Sequence, residues 1–259
     1  MDHAQQQSHM QTDEVASIFT RHKFELKRRE LTITAKEFVT PKMIRITVSG
    51  DDLADFPSMA PDDHLKLMIN NGTDKPDMRD YTPRYIDNKS RVLVVDFAIH
   101  EAGPATQWAI NAEIGDKMRI GGPRGSSQLT EAFDWKLLIG DETALPAMGR
   151  WVEESSTDHT LLTLGIVTGK SEEQHWQTNA NHAAYWVHRP SSDDTNAHAV
   201  IEQLRTLELP SGKGFIWIAA EAKAAREIKA FVLQHFAHPP QFVKSSGYWV
   251  KGQADSAEK

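Results

Sequence analysis

The stretch "WKLLIGDETALPAMGRW", residues 135–151, marks a change in how the chain is organised. Its first part, "WKLLIGD", is a short apolar run that predicts a buried strand. The overlapping segment "TALPAMGRWVEESS" (143–156) has the apolar spacing of a helix. A strand that leads directly into a helix is the repeating unit of a parallel α/β sheet.

The same alternation continues downstream of this stretch. Further strands are predicted at residues 160–168, 183–189 and 213–221, and further helices at 196–209 and 221–236. Because strands and helices alternate, we predict a parallel α/β sheet for this half of the chain.

Upstream of residue 130 the pattern is different. From Phe24 to Ile120 the apolar segments are short and strand-like, with Pro, Asp, Asn and Gly between them. This pattern predicts an antiparallel sandwich or barrel. One segment departs from it, because "GPATQWAINAEIG" (103–115) predicts a short helix with Pro104 near its first turn. The predicted fold class is therefore a β-barrel followed by an α/β domain.

The border between the strand-rich part and the alternating strand–helix part lies near "TEAFD", residues 130–134. We predict a disordered lead at residues 1–18, a barrel domain at 19–132 and an α/β domain at 133–259.

The composition excludes several classes of function. The 259 residues carry a formal net charge of −7 with acids and bases interspersed, which argues against a nucleic-acid partner. The sequence has no cysteine, which excludes disulfides, thiolate zinc sites and iron–sulfur clusters held by its own thiolates. The apolar runs are too short for membrane insertion, and the first residues lack the blocks of a signal peptide. We expect a cytoplasmic monomer without a metal site.

The common phosphate-binding motifs are absent: there is no G-x-G-x-x-G after a strand and no P-loop. The stretch "RDYTPR" (79–84) nevertheless combines groups that suit a flat, phosphorylated ligand. Arginine offers a fork for a phosphate, tyrosine a face for a ring, and threonine a hydroxyl. We predict that "RDYTPRYI" (79–86) is one strand, so that Arg79 and Tyr81 share one side, and Thr82 and Arg84 the other. The alternative is a charged edge strand without a ligand.

Two further stretches place a helix start directly after a strand. In "DFAIHEAGPATQWA" (96–109), Gly103 and Pro104 open the helix and Thr106 adds a hydroxyl. In "GDETALPAMGRW" (140–151), a turn of small and polar residues does the same. Free backbone N–H groups at such helix starts can bind an anion, so each stretch is a candidate phosphate cradle.

Taken in this order, these stretches resemble the siderophore-interacting protein family, FAD-dependent ferric-siderophore reductases of the ferredoxin-reductase-like superfamily. The residues that carry the resemblance are "RDYTPR" (79–84), "HEAGPATQWA" (100–109), "GGPRGS" (121–126), "GDETALPA" (140–147), "FIWIAAE" (215–221) and "GYWVKG" (247–252). The resemblance implies an antiparallel flavin-binding barrel, then a Rossmann-like NAD(P)-binding-type domain whose C-terminal segment returns to the flavin.

The resemblance also implies roles for individual residues around FAD. Arg79 would bind the pyrophosphate, Tyr81 would lie on the isoalloxazine, and Thr82 would hydrogen-bond its redox-active edge, which makes Tyr81 and Thr82 the catalytic candidates. Arg84 would help to hold the flavin or its phosphates. The pyrophosphate and adenosine end would be surrounded by His100, Gly103, Pro104, Ala105 and Thr106, with Arg124 and Ser126 closing the adenosine half. Trp108 would pack the short helix onto the barrel.

A second group would serve the electron donor. Around the helix start, the pyridine nucleotide would be received by Asp141, Thr143, Ala144 and Pro146. Tyr248 and Trp249 would cover the nicotinamide side of the flavin. The sequence departs from the family at Ala219 and Ala220, where Ala-Gly is more common, and an added methyl would narrow the approach of a dinucleotide. NADH, NADPH and ferredoxin all stay open as donors.

The implied activity is reduction of siderophore-bound Fe³⁺ to the more weakly held Fe²⁺. An anionic ferric siderophore approaching an acidic protein would need local cations, and Lys66, Lys244 and Lys251 are the candidates for a basic cluster beside the flavin. For each lysine the alternative is a solvated surface charge. Two other functions stay open: a flavin or ferredoxin–NAD(P)⁺ reductase with no siderophore role, and a non-catalytic siderophore-binding protein.

Overall fold

The structure is a computed structural model, and it describes residues 17–99 and 103–253 of the chain. Most of the predicted disordered lead, residues 1–16, lies outside the described residues. Ile18, which the predicted lead includes, is buried against the core of the second half of the chain. The predicted domain borders at 18/19 and 132/133 stay predictions.

The first half of the described chain is an antiparallel β-structure with one helix. Its elements are β1 (Phe19–Lys23), β2 (Arg28–Thr40), β3 (Met43–Ser49), β4 (Leu65–Ile69), β5 (Asp77–Tyr81), β6 (Pro83–Asp87), β7 (Val92–Ala98), α1 (Pro104–Asn111), β8 (Lys117–Gly121) and β9 (Gly125–Leu129). A short 3-10 turn lies at Asp51–Leu53. Among the described residues, seven strands form one sheet in the order β5-β4-β8-β2-β3-β7-β6, and β1 pairs with β9.

Alternating side chains of this sheet fill the first core. Leu31 and Ile33 of β2, Ile44 and Ile46 of β3, and Leu67 of β4 are all buried there. Successive side chains of a strand point to opposite faces, so every second residue lies on the face that packs against this core. Trp108 of α1 packs against this core, as the sequence predicts.

The prediction that "RDYTPRYI" forms one strand is wrong. Thr82 separates β5 from β6, and the two strands pair with different neighbours, β4 and β7. Pro83 has no backbone N–H for a continuous ladder, which favours a break at this point. Because β5 and β6 are the two edges of the sheet, one residue connects those edges, and the sheet must roll up into a barrel-like shape.

The second half is the predicted parallel α/β structure. Its elements are β10 (Trp135–Gly140), α2 (Leu145–Glu153), β11 (Thr160–Val167), β12 (Asn181–His188), α3 (His198–Arg205), β13 (Gly214–Glu221), α4 (Ala222–His235) and β14 (Val243–Trp249). Short 3-10 turns lie at Lys170–Glu172, Ser191–Asp193 and Pro240–Phe242. In this part of the described chain, five strands pair in parallel in the order β12-β11-β10-β13-β14.

The strand order places a crevice at the carboxyl ends of β10 and β13. The chain leaves β10 toward β11 on one side, and β13 is added on the other side. In open α/β sheets, ligands bind at such a reversal of strand order. Helices α3 and α4 cover the sheet face opposite to that of α2.

Helix α2 connects the two halves of the molecule. It contacts β10 and β11 of its own sheet and also β6 of the barrel, and its residues from Leu145 to Val152 are buried. Arg150 donates to the carbonyl of Pro83 at 3.1 Å, and Thr40 donates to Glu172 at 2.6 Å. These hydrogen bonds join the barrel to the parallel sheet. No helix in the described ranges 17–99 and 103–253 is long and apolar enough to span a bilayer.

Candidate functional site

The β5–β6 junction presents Arg79, Tyr81 and Thr82 at the place where the two sheet edges meet. The Tyr81 ring lies 4.5 Å from that of Phe97, which in turn lies 5.6 Å from Trp108. Burial raises the pKa of Tyr81 well above its ordinary value, so its phenol is neutral at every physiological pH. Thr82 is 7% exposed, and Arg79 donates to the carbonyl of Met78 at 2.8 Å.

Arg84 of β6 lies against helix α2 and strand β7. Each of its terminal nitrogens lies 2.7 Å from a carboxylate oxygen of Glu153 on α2. Its Nε lies 3.7 Å from Asp96. A Cβ at Gly149 would come within 2.9 Å of this guanidinium, so the glycine makes room for it. The predicted role of Arg84 in holding the flavin stays a prediction; here Arg84 joins β6 to α2, and its guanidinium is occupied by Glu153.

The start of α1 keeps the features of an anion site. Gly103 precedes the helix in an extended conformation and no side chain caps it, and Pro104 is in the first turn. Ala105 and Thr106 are buried, and the Thr106 hydroxyl has no hydrogen-bond partner among the described residues. His100 lies outside the described residues.

Strand β9 contributes a second hydroxyl of this kind. Ser126 is 6% exposed, and its Oγ has no partner in the part of the chain that the structure describes. It lies opposite His22 of β1, whose Nε2 is also buried without a described partner. Arg124, in the loop between β8 and β9, is exposed, and its carbonyl accepts from the Phe24 N–H at 2.9 Å. Sequence reasoning missed His22, because a lone histidine before the first predicted strand carries no signal.

Buried hydroxyls without partners are rare, since leaving one unsatisfied is unfavourable. Thr106 and Ser126 both belong to stretches that carry the resemblance. Oxygen atoms of a phosphate or a ribose would satisfy them, so the residues present fit an FAD.

The polar groups of the turn after β10 already have hydrogen-bond partners within the protein. Asp141 Oδ1 accepts from the Thr143 N–H at 3.0 Å and its hydroxyl at 2.6 Å. Its Oδ2 accepts from the Glu221 N–H and from the Trp249 indole, both at 2.9 Å. The N–H groups of Ala144 and Leu145 donate to the Asp141 carbonyl.

The predicted phosphate cradle at this turn stays a prediction, and a phosphate would have to displace existing hydrogen bonds there. The donors of Thr143 and Ala144 are already used, Pro146 has none to offer, and Ala144 and Pro146 are buried. The carboxylate of Asp141 instead joins the ends of β10, β13 and β14. Ala219 and Ala220 place their methyl groups in the cores on the two faces of the sheet, and so they do not narrow the crevice as expected.

The last residue of β14 and the two residues after it cross the carboxyl edge of the parallel sheet; we call Trp249–Lys251 the strap. Trp249 is anchored on Asp141, and the Lys251 N–H lies 3.4 Å from Glu221. Lys251 Nζ lies 2.6 Å from Asp194, which follows β12. The strap thus covers the crevice between β10 and β13. Glu221 and Asp194 carry no separate signal in the sequence.

Tyr248 lies beside the strap in an acidic environment. Its ring meets that of Trp217 edge-on at 6.0 Å. Burial raises the pKa of Tyr248 well above its ordinary value, and the negative charges of Asp62, Asp141, Asp63 and Asp80 add to the effect. Asp62 also accepts from the Trp217 indole at 3.0 Å. The loop before β4, the end of β5 and strand β14 therefore enclose one site.

The three predicted lysines do not form a free basic cluster. Lys66 pairs with Asp80 at 3.1 Å, Lys244 with Asp62 at 2.5 Å, and Lys251 with Asp194. The predicted role of the three lysines in binding the siderophore stays a prediction, and each of them has an acidic partner that the sequence pattern does not reveal.

One acid at this edge titrates near neutrality. Burial, together with the negative charge of Asp141, raises the pKa of Glu142 to about 7, while Arg189 acts in the opposite direction. The Arg189 guanidinium lies 3.0 Å from Glu142. Among the described residues, no cluster of three His, Asp or Glu side chains could hold a metal ion.

Two family models match the chain. The model described as "Siderophore-interacting protein" matches residues 133–252. The model described as "Siderophore-interacting FAD-binding domain" matches residues 32–77 and 70–127. Together they cover both sheets.

Known proteins are similar over nearly the whole chain. An NADPH-dependent ferric-chelate reductase from Escherichia coli is 31% identical over 248 residues, which span 87% of this chain and 94% of that protein. The crystal structure of a siderophore utilization protein from T. fusca has a TM-score of 0.85 and 29% identity, and covers 92% of this chain and 98% of the other. A ferredoxin-NADP⁺ reductase from Plasmodium falciparum, at 11% identity, covers 84% of this chain and 95% of its own, and shares the fold with a TM-score of 0.61.

Proposed function

The chain belongs to the siderophore-interacting protein family of FAD-binding siderophore reductases, and we propose that it reduces siderophore-bound Fe³⁺ with electrons from NADPH or NADH through a bound FAD. The observation that supports this most directly is the pair of buried, unsatisfied hydroxyls of Thr106 and Ser126. Both lie in stretches that the family resemblance assigns to the cofactor. The released product would be Fe²⁺, which siderophore oxygens bind more weakly.

The β5–β6 junction and α1 would hold the cofactor. We assign Arg79 to the pyrophosphate, because a guanidinium fork matches phosphate oxygens. Tyr81 would lie on the isoalloxazine and the Thr82 hydroxyl would donate to its redox-active edge. Around the pyrophosphate and adenosine, we assign the start of α1, the loop after β8 and the beginning of β9, with the residues His100, Gly103, Pro104, Ala105, Thr106, Arg124 and Ser126.

Bound FAD can accept a hydride as a two-electron unit and release electrons singly, which matches a pyridine nucleotide to one-electron Fe³⁺. The chain's own residues would position this cofactor and shield it. Tyr81 keeps a neutral phenol beside the ring because its pKa is raised by burial. Tyr248 and Trp249 would cover the nicotinamide side. No side chain is required as a nucleophile.

A pyridine-nucleotide donor would meet the strap at the crevice of the parallel sheet. The similar Escherichia coli protein is named as NADPH-dependent, which supports NADPH. Trp249–Lys251 covers the crevice of the parallel sheet, so a nucleotide would bind there only after the strap moves. This covered crevice favours a second candidate, a ferredoxin, because a protein donor need not enter it. We also propose that the protein acts in the cytoplasm as a monomer.

The test uses the purified protein under anaerobic conditions. FAD content is measured first, then flavin bleaching by NADPH, NADH or reduced ferredoxin, and finally Fe²⁺ release from a ferric siderophore into a chromogenic Fe²⁺ chelator. We expect one FAD per chain, bleaching by at least one donor, and Fe²⁺ release that depends on the protein.

The two alternative functions give different results. A flavin or ferredoxin–NAD(P)⁺ reductase would be bleached by a donor and would reduce free flavin, yet would release no Fe²⁺ from the siderophore. A non-catalytic binding protein would purify colourless and would still bind the ferric complex.

A further inference from the structure

The turn between β4 and β5 contains the dipeptide Asn71-Gly72, and the sequence has no second asparagine that is followed by glycine. Residues 70–76 of this turn are all exposed. An asparagine in such a dipeptide can react with its own main chain, because the amide nitrogen of the next residue can attack the side-chain carbonyl carbon. Glycine hinders this attack least, since it has no side chain.

The attacking nitrogen, that of Gly72, lies in an open part of the turn. The φ of Gly72 is +79°, a value that glycine adopts readily. A Cβ placed on this residue would meet no atom within 4 Å. Asn71 also borders an open cavity of about 490 Å³ between the turn and α1. Water therefore reaches both reacting groups.

The hydrogen bonds of the turn orient the two groups. Asn71 Oδ1 accepts from the Thr73 N–H at 3.0 Å, and the Thr73 hydroxyl lies 2.7 Å from the same oxygen. This hydroxyl has a second acceptor, the Lys75 carbonyl at 2.9 Å. Negative charge develops on Oδ1 when the carbonyl carbon is attacked, so donors to this oxygen stabilise the reaction. The Gly72 N–H donates to Asn70 Oδ1 at 2.9 Å, which places an acceptor at the proton that must be lost.

Asn88, in the turn between β6 and β7, provides a comparison within the same molecule. It is exposed as well, but lysine follows it. Its Nδ2 donates to the carbonyls of Leu53 and Phe56 at 2.7 and 3.0 Å. Within residues 17–99 and 103–253, its side-chain oxygen accepts no hydrogen bond. The features that favour attack at Asn71 are thus missing at Asn88.

We propose that Asn71 is a self-modification site, at which the side-chain amide is converted to a carboxylate, and that Asn70 and Thr73 are its positioning residues. The Gly72 nitrogen bonds to the Asn71 side-chain carbon and loses its proton. The bond to Nδ2 breaks, so that ammonia leaves and a cyclic imide remains. Water then opens the imide at one of its two carbonyls, which gives aspartate or isoaspartate. Neither step oxidises or reduces any group.

The products change the β4–β5 hairpin in charge and in length. A new carboxylate joins Asp74 and Asp77 in the same segment. Isoaspartate also inserts a methylene into the main chain, close to where Ile69 pairs with Asp77. Because the protein has no means of restoring the amide, we expect the modified fraction to rise with the age of the molecule.

The test follows the reaction in the purified full-length chain at mildly alkaline pH, where loss of the Gly72 proton is faster. Samples taken over time are digested, and the fragment that contains the Asn71-Gly72 dipeptide is analysed by mass spectrometry. An enzyme that methylates isoaspartyl carboxyl groups distinguishes the two products. The same measurements are made on a synthetic peptide of residues 67–76 and on the variants Gly72→Ala, Thr73→Val and Asn70→Ala.

We expect Asn71 to be converted faster in the folded protein than in the peptide, and faster than Asn88 in the same molecule. Thr73→Val removes the hydroxyl and keeps the N–H, so it should slow the reaction by about two- to tenfold, the contribution of one hydrogen bond. Asn70→Ala should slow it by a similar factor. Gly72→Ala should slow it most, because a methyl group hinders the attack.

Thr34→Val is the matched control. It removes an exposed hydroxyl that donates to the Thr47 carbonyl at 3.3 Å on the barrel, away from the turn, and should leave the rate unchanged. Circular dichroism shows that each variant is folded.

The proposal is overturned if Asn71 in the folded protein is converted no faster than in the peptide, or no faster than Asn88. Equal rates in wild type, Thr73→Val and Asn70→Ala would overturn the positioning role of these two neighbours. The measurements involve neither flavin nor siderophore, so they test this site separately from the proposed function.

Discussion

The carboxylate of Asp141 and the indole of Trp249 are joined by a hydrogen bond of 2.9 Å, although 108 positions separate the two residues in the chain. This bond fastens the strap onto the turn that follows β10. The carboxylate that opens this turn is thus engaged in holding the C-terminal segment.

Weakening the attachment of the strap should strengthen the binding of a pyridine nucleotide. Lys251→Ala removes the ion pair with Asp194, an exposed contact worth about 0.2–1 kcal/mol. We expect the apparent Kd for NADPH in stopped-flow flavin reduction to fall by up to about fivefold. Lys223→Ala, which removes another exposed pair on α4, is the control. An unchanged Kd together with normal reduction by NADPH would mean that the strap does not cover the nucleotide site.

Arg79→Ala should weaken FAD binding. A hydrogen bond to a charged group contributes about 1.5–3 kcal/mol, so we expect the FAD Kd to rise by about ten- to 150-fold and the protein to purify with less than one FAD per chain. Fluorescence titration of the apoprotein measures this. Arg119→Ala, on β8 and paired with Glu30, should leave the Kd unchanged. Full FAD occupancy in Arg79→Ala at wild-type affinity would exclude the phosphate role.

Replacing the unsatisfied hydroxyls should affect the apoprotein and the FAD complex in opposite directions. Thr106→Val keeps the shape of a side chain that is 2% exposed and removes a hydroxyl with no partner among the described residues. We expect the Tm of the apoprotein to stay the same or rise, because an unsatisfied polar group is removed. The FAD Kd should rise by about fivefold or more, because a contact worth about 1 kcal/mol is lost. Ser126→Ala should behave in the same way. A Tm loss with no change in FAD affinity would show that these hydroxyls serve the protein alone.

Breaking the pair between Arg84 and Glu153 should reduce stability. The Arg84 side chain is 7% exposed, and Glu153→Gln would leave its charge without a full counter-charge. Loss of one partner of a buried pair costs about 3–5 kcal/mol, and the 35% exposure of Glu153 reduces that figure to about 1–3 kcal/mol. Denaturant unfolding measures the change. The FAD affinity of the folded variant should stay close to that of wild type. A large loss of FAD affinity at unchanged stability would instead show that Arg84 helps to bind the cofactor.

Glu142 should make stability depend on pH near neutrality. Its pKa is raised from 4.5 to about 7, so the folded state favours the protonated carboxyl. The stability that this group contributes is fully present below about pH 4.5 and is lost as pH rises through about 7, at about 1.4 kcal/mol per pKa unit. Glu142→Gln imitates the protonated form. The Tm of the variant relative to wild type should therefore be higher at pH 8 than at pH 5; a constant difference would mean that Glu142 titrates normally.

Local patterns were sufficient to predict most of the fold. The apolar runs at 135–141 and 213–221 predict β10 and β13 because a buried parallel strand is apolar on both faces. The alternation in β2 and β3 predicts strands with one buried face. The single-strand prediction for residues 79–86 failed because strand pairing decides where a strand ends. Only the pairing of β5 with β4 and of β6 with β7 reveals the break at Thr82.

The candidate site was predicted less completely, because side-chain partners are distant in sequence. Arg84 and Glu153 are 69 positions apart, and Asp62 and Trp217 are 155 apart. Nothing in the local sequence shows that Glu153 will fill the fork of Arg84, or that Asp62 and Asp80 will accompany Lys244 and Lys66. Residue types in the sequence thus indicated which stretches could bind the cofactor. The acidic partners of the arginine and lysine side chains could be identified only from the packed structure.

The single-residue link at Thr82 limits where the protein tolerates engineering. Residues 70–76, between β4 and β5, are exposed, so a peptide tag or a reporter domain inserted there would leave the strand pairs intact. An insertion at Thr82 would lengthen the tether between β5 and β6 and let the rolled sheet open at its seam. Of these two neighbouring turns, only the first is suitable for a label that reports on iron release without disturbing the barrel.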